Sequence, residues 1–199
     1  MEFNVSKLRE DLAKSDEFKK GEAWQAVVSL CYDEWQKPEN NKDWDYNTLL
    51  GYAHLTYGLF AKLLVLMGSY NGEVCNGGHD QYFANGYASN GGSCFDRHDT
   101  GCRLTREMLK LMDGFKLDTF GEGAEIYKII KDFCREIKNN NPYDQEDDRD
   151  DDSEPSELSK LDDRLYEIND AWEKTINKLI IDWLEKGSNP ISEPTPVVA

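Results

Sequence analysis

Cysteine and histidine side chains gather in the middle of the chain, where the sequence reads CNGGHDQYFANGYASNGGSCFDRHDTGC over positions 75–102. Thiolates and imidazoles are ligands that zinc prefers and groups that a thiol enzyme needs. The candidates, at four-residue steps on either side of a glycine-rich loop, are Cys75, His79, Cys94, His98 and Cys102. Structural zinc sites bring their ligands together at a tight knuckle, which this spacing does not form. We therefore expect free thiols, a hydrogen-bonded histidine, no metal and no cofactor.

Enzymatic chemistry finds little further support in the sequence. A cysteine–histidine protease needs a thiolate, an imidazole and an orienting group around one pocket, and no nucleophile segment of that kind is present. The patterns GxxxxGK[ST], GxGxxG and HExxH are also absent from the chain. We therefore expect a protein that is not an enzyme. A metal-dependent or thiol enzyme is the third functional alternative, after the two given at the end of this section.

Carboxylates dominate the charge of the chain. Aspartate and glutamate number 39 against 23 lysines and arginines, for a formal net charge of −16. The segment DQEDDRDDDSEPSE, positions 144–157, holds nine carboxylates and one arginine, hence a net charge of −8, half of the total. A block of this composition cannot bury a core, so we expect a solvated acidic linker over 142–157. It lacks the central glycine and the terminal glutamate spacing of an EF-hand loop.

A second acidic feature is expected on the last helix of the chain. Asp163, Glu167 and Asp170 follow one another at steps of four and three, away from the apolar stripe of the same segment. This spacing places three carboxylates on one face, roughly 4 to 6 Å apart along the helix axis. We call these three residues the acidic ridge. The full set of expected electrostatic contacts is Asp144, Glu146, Asp147, Asp148, Asp150, Asp151, Asp152, Glu154, Glu157, Asp163, Glu167 and Asp170.

The apolar residues that must position these side chains recur at helical spacing. Steps of three and four connect them in segments around 5–12, 24–37, 49–67, 104–114, 126–137 and 158–183. No window of convincing length alternates apolar and polar residues with period two. We therefore expect an all-α, single-domain bundle of about six to seven helices, without significant sheet, around a central apolar helix at 49–67.

The length of the chain predicts one domain, over residues 1–186, followed by a disordered tail at 187–199. An odd number of cysteines and an N-terminus without the apolar core of a signal peptide indicate a cytoplasmic protein. The stretch Leu49–Gly68 approaches the length of a membrane span, but His54, Lys62 and three glycines interrupt it. We expect a buried helix there and no membrane partner.

The run NGGHDQYFAN, positions 76–85, is predicted to form a structural corner. Asparagine and glycine tolerate left-handed backbone angles, so they can end one helix and let the chain turn. Asp80 is expected to cap a short helix in which Tyr82 and Phe83 are buried. The amides of Gln81 and Asn85 are expected to bond exposed loop backbone.

The same run resembles the NGG-F-x-Q-F-F-x-N signature of the DMP19-like family, also called the DUF4375 domain, helical bacterial proteins named after a DNA-mimic member. The segment LSKLDDRLYEINDAWEKTINKLIIDWLE is similar to the family's closing pattern, an LDxRFYEL entry and a long amphipathic helix. The likeness covers about 50–186. The matching motif positions are Asn76, Gly77, Gly78, Asp80, Gln81, Phe83 and Asn85. His79 stands where the family has an aromatic residue, usually phenylalanine.

The charge and the resemblance together suggest a function. A net negative surface repels nucleic acid, so direct binding of DNA or RNA is not expected. Rows of carboxylates can instead present a potential like that of a duplex to a basic DNA-binding protein, such as a regulator, nucleoid protein or nuclease, and block it by competition. The resemblance also implies a possible homodimer. The second alternative is an immunity or adaptor protein that binds its partner without mimicking DNA.

Overall fold

The computed structural model describes residues 5–37, 46–85, 102–139 and 156–186. These ranges contain eight α-helices, one short 3-10 turn and no strand. The helices are α1 (Val5–Leu12), α2 (Asp16–Lys19), α3 (Ala23–Trp35), α4 (Tyr46–Tyr57), α5 (Leu59–Ala84), α6 (Arg103–Gly114), α7 (Gly123–Asn139) and α8 (Glu157–Lys186), with the 3-10 turn at Leu117–Thr119. The predicted all-α class is confirmed, with one helix more than the upper expected number.

Helix α5 forms the centre of the bundle. Every residue from Leu63 to Met67 is buried, and Leu63, Leu64 and Val65 are fully inaccessible to solvent. It packs against α3, α4, α6 and α8. A helix that is apolar all round must be covered by neighbours on all sides, which is the arrangement found here.

The predicted bounds of the central helix, 49–67, are wrong. Two helices, α4 and α5, cover this stretch, because the chain breaks at Gly58 with φ of +95° and ψ of 179°. Only glycine adopts these angles without strain. The apolar pattern continues through the break, so periodicity alone merges the two helices.

The remaining long helices are amphipathic and close the core from outside. Helix α7 buries Ile126, Ile129, Ile130 and Phe133, as its apolar stripe predicts. Helix α8 places an aromatic residue, Trp183, against the core ring of Phe60, with ring centroids 5.0 Å apart. Together with α5 these helices form the frame that carries the acidic ridge.

Helix α1 ties the beginning of the described chain to its end. The guanidinium of Arg9 donates to the backbone carbonyl of Leu184 on α8. The carboxylate of Asp11 accepts from the Tyr57 hydroxyl on α4 at 2.9 Å and from Lys7 at 2.7 Å. In the described part of the chain no helix is long and apolar enough to cross a membrane.

Acid is expected to weaken the contact between α1 and α4. Hydrogen bonds from Lys7 and then Tyr57 lower the pKa of Asp11 below its ordinary value of 3.8, against the opposing effect of burial. Because the pKa is lower in the folded state, the stabilisation is present above the unfolded pKa and is lost as the pH falls through the folded one. Urea unfolding between about pH 5 and pH 2 should therefore show a shallower loss of stability in Asp11→Asn than in the parent chain. An equal loss in both proteins contradicts this assignment, and Asp33→Asn, at an exposed carboxylate on α3, is the matched control.

Candidate partner-binding surface

The corner in the NGG run is a kink within α5. Gly77 and Gly78 have non-helical backbone angles, and Gly78 has φ of +79° and ψ of 179°. The chain nevertheless resumes as a helix and continues to Ala84. The prediction that the glycines end one helix and reverse the chain is therefore only half right, since the helix bends and resumes.

A carboxylate from α8 caps the resumed helix. The backbone N–H of His79 donates to Oδ1 of Asp162 at 2.8 Å, the bond that an N-cap side chain usually accepts from within its own helix. Gly78 permits this approach, because a β-carbon there would lie 2.5 Å from Asp162 Oδ2. The prediction that Asp80 caps this helix is wrong. Its side chain is exposed within the resumed helix, and Asp162 takes that role.

His79 is fully buried and bonded through both ring nitrogens. Nδ1 lies 2.5 Å from Asp162 Oδ1, and Nε2 lies 2.7 Å from the hydroxyl of Tyr70. The imidazole also packs on Phe133 of α7, with ring centroids 5.1 Å apart. Histidine thus fills the slot of a family aromatic residue and adds two hydrogen bonds that phenylalanine cannot make.

The other motif side chains secure the outside of the kink. The amides of Gln81 and Asn85 both donate to Oε2 of Glu73, at 3.1 and 2.7 Å. They therefore bond a carboxylate about two to three turns earlier in α5, rather than the loop backbone that the sequence predicted. Tyr82 and Phe83 are buried, and the Tyr82 hydroxyl lies within hydrogen-bond distance of a threonine on α6. The bonds to Glu73 brace the kink in α5, and Tyr82 joins the resumed helix to α6.

The first turns of α8 are anchored on two sides. Arg164 donates to Glu125 at 2.7 Å and to Asp132 at 3.2 Å, both on α7. Tyr166 donates to the backbone carbonyl of Val74 on α5 at 2.9 Å. The Asp162 bonds to His79 complete the attachment. The NGG run and the LDDRLYE segment therefore contact each other through His79 and Asp162, which are 83 residues apart in sequence.

The acidic ridge lies on the opposite face of this anchored segment. Asp163, Glu167 and Asp170 are exposed, and at 3.6 residues per turn they lie about 140° to 160° around the helix from the fully buried Leu165. None of the three forms an ion pair with another described residue. The ridge ends where the next residue on the same line, Lys174, reverses the sign of the charge.

Most of the predicted acidic linker, with its carboxylates from Asp144 to Glu154, lies outside the described residues. Glu157 is described and differs from the prediction, since it is the first residue of α8. Its carboxylate is exposed and pairs with Lys160 at 2.7 Å. The surface that the structure defines is thus the acidic ridge.

The structure also places three of the five residues considered for chemistry. His79 has no free ring nitrogen, Cys102 is buried at the start of α6, and Cys75 is exposed on α5. Cys94 and His98 lie outside the described residues. In the described ranges no three histidine, cysteine or acidic side chains are grouped to hold a metal ion. Although Cys75 is exposed to solvent, partial desolvation of its thiol, and then the charge of Glu173, raises its pKa, which disfavours the reactive thiolate.

The side chains that hold the surface in place were not predictable from the motifs alone. Asp162, Tyr70 and Glu73 make the decisive bonds, yet none was singled out. The available signal was the spacing of Asp162, Tyr166 and Glu173, at steps of four and seven, which puts a second line of polar residues beside the acidic ridge. That line faces α5 in the structure.

The described residues form an all-helical protein with a kinked central helix, α5, and an acidic face on α8. A family model described as DMP19-like protein matches residues 59–187. The chain belongs to this family, as the two motif segments predict. The match begins at the first residue of α5 and ends just after α8. No curated protein and no solved structure matches the chain.

Proposed function

We propose that this protein is a cytoplasmic DNA mimic, which occupies the DNA-binding surface of a basic protein and competes there with duplex DNA. The observation that carries the proposal is the acidic ridge, with three exposed carboxylates that no described cation neutralises. Membership of a family whose name refers to a DNA mimic supports the same function. The mechanism is occlusion and requires no chemical step.

The acidic ridge supplies part of the attraction that this mechanism needs. Duplex DNA carries one charge per about 1.7 Å of axis over two strands, and its partners bind it through lysine and arginine. The ridge presents three charges over about 10 Å of helix, a lower density than DNA. The remaining attraction comes from the whole chain, whose formal net charge is −16. Binding should therefore weaken as salt screens these charges.

The ridge is also held rigidly. Arg164 fixes its first turn to α7, and Tyr166 fixes the next turn to α5. A partner therefore meets carboxylates whose backbone is already ordered, so little ordering entropy opposes binding. The side chains themselves remain exposed and hydrated.

Removing the three ridge charges is expected to weaken partner binding about tenfold, if each exposed carboxylate contributes about 0.5 kcal/mol. The variant is Asp163→Asn, Glu167→Gln, Asp170→Asn. The partner is first captured from cytosolic extract on the immobilised protein and eluted with graded salt. Its Kd for each variant, and the displacement of a fluorescent duplex from the partner, are then measured by anisotropy.

The matched control removes the same charge elsewhere. Glu10→Gln, Asp33→Asn, Asp113→Asn also takes the net charge from −16 to −13, at exposed positions on α1, α3 and α6. We expect its Kd to stay within twofold of the parent value at about 0.15 M salt, where charges beyond about 8 Å are screened. Equal weakening by both variants, or a captured protein that binds duplex and this chain together, refutes the proposed competition. Capture that salt does not weaken supports the adaptor alternative.

A further inference from the structure

A cleft of about 460 Å³ opens between α3, α5 and α8, beside the acidic ridge. Its polar lining consists mainly of oxygen-bearing side chains. These and the single thiol are Glu22, Gln25, Asn71, Cys75, Asn169, Glu173 and Asn177. No lysine or arginine among the described residues lines it. Two carboxylates and four amides in one concave surface favour a ligand with several N–H donors and a positive charge.

Glu173 connects the cleft to the acidic ridge. It follows Asp170 by three residues, hence about 4.5 Å along the axis and about 60° around α8. The carboxylate of Glu173 is held at one oxygen by the amide of Asn71, at 3.4 Å. The acidic ridge and the cleft are therefore close enough for one long cationic side chain to reach both Asp170 and Glu173.

The side-chain amides of the cleft differ in the hydrogen bonds that they already make. Asn177 already accepts from the backbone N–H of Trp24 at 2.7 Å. Asn169, by contrast, has a buried side-chain oxygen to which no described residue donates. A buried acceptor without a donor is unfavourable, and an N–H group bound in the cleft would relieve that cost once the Asn169 amide rotates toward it. The free acceptor therefore points to a ligand that donates hydrogen bonds.

We propose that this cleft binds the side chain of an arginine from the basic partner. The guanidinium carries five N–H donors in a planar fork, which can serve carboxylate and amide oxygens at the same time, whereas the lysine ammonium offers three donors at one point. The identity of the partner rests on the proposed function above. The chemistry of the cleft, a site for guanidinium, rests on Glu22, Glu173 and Asn169 alone.

N-acetyl-arginine amide is the reagent that tests the cleft directly. In the ¹⁵N-labelled full chain it should shift the amide signals of Asn71, Gly72, Asn169 and Glu173 and slow the alkylation of Cys75, read by peptide mass spectrometry. N-acetyl-citrulline amide has the same shape without the charge and should do neither. N-acetyl-lysine amide should bind more weakly than arginine, and equal affinity would overturn the assignment to guanidinium.

The variant Glu173→Gln should raise the Kd for the arginine amide about threefold to tenfold, because a charge-assisted bond is replaced by a neutral one. Glu185→Gln removes the same charge from an exposed position near the other end of α8 and should leave the Kd unchanged. Shifts confined to the ridge, or equal responses of the two variants, overturn the cleft site.

The test of the cleft and the test of the proposed competition with DNA can fail independently of each other. If the captured partner binds beside DNA while arginine still fills the cleft, DNA mimicry fails and the guanidinium site stands. If DNA is displaced but arginine leaves the signals of Asn169 and Glu173 unchanged, the cleft inference alone is overturned.

Discussion

Replacing Gly78 with alanine is expected to lower the free energy of unfolding by about 3 kcal/mol or more, for two additive reasons. The backbone angles at this residue, φ of +79° and ψ of 179°, lie in a region that only glycine occupies without strain. The new β-carbon would also lie 2.5 Å from Asp162 Oδ2, so the cap of the resumed helix must move. Thermal unfolding followed by circular dichroism should show a Tm about 6 to 12 °C lower.

The same helix supplies the matched control. Gly72 is helical, and a β-carbon there would meet no atom within 4 Å. Gly72→Ala is therefore expected to stabilise the protein by about 0.5 to 1 kcal/mol, the gain of alanine over glycine in a helix interior. A Gly78→Ala protein as stable as the parent would show that the kink and the Asp162 cap are not needed for the fold.

Replacing His79 with alanine is expected to cost about 3 kcal/mol, from the cavity left by a fully buried ring and from lost hydrogen bonds. His79→Phe keeps the ring volume but leaves the buried Tyr70 hydroxyl without its partner at Nε2. Its expected cost is about 1 to 2 kcal/mol. Urea unfolding of the purified variants gives these values.

A double substitution separates packing from hydrogen bonding. Removing both partners of a buried bond is much cheaper than removing one, because no polar group is left unpaired. His79→Phe with Tyr70→Phe should therefore be more stable than His79→Phe alone, by about 1 kcal/mol. A double variant that is less stable than either single variant would mean that Tyr70 contributes chiefly through something other than its bond to His79.

The long amphipathic helices were predictable because the apolar pattern that determines each of them lies within its own segment. The stripe of α7 repeats at steps of three and one, and that of α8 at three and four, so one face is apolar over many turns. The break at Gly58 was not predictable, since apolar residues continue on both sides of it. A single glycine in an apolar run is compatible with a helix, a kink or a boundary, and packing decides between them.

The candidate site was likewise predictable from the sequence only in part. The exposed face of α8 follows from the spacing of Asp163, Glu167 and Asp170 relative to Leu165, and the structure places it as predicted. The bond between Asp162 and His79 joins residues 83 positions apart. Periodicity within one helix cannot reveal such a pairing, and neither can the type of either residue. The NGG motif indicated a corner, but the carboxylate that stabilises it comes from another helix.

Lysines bound the acidic ridge at both ends along α8. Lys160, which pairs with Glu157, lies one turn before the ridge, and Lys174 and Lys178 lie on the turns that follow it. A DNA duplex, by contrast, carries phosphates along its whole length. If the proposed function holds, a cationic surface would be attracted over about 10 Å of α8 and repelled beyond that length, so the ridge suits a short cluster of basic side chains better than a long groove.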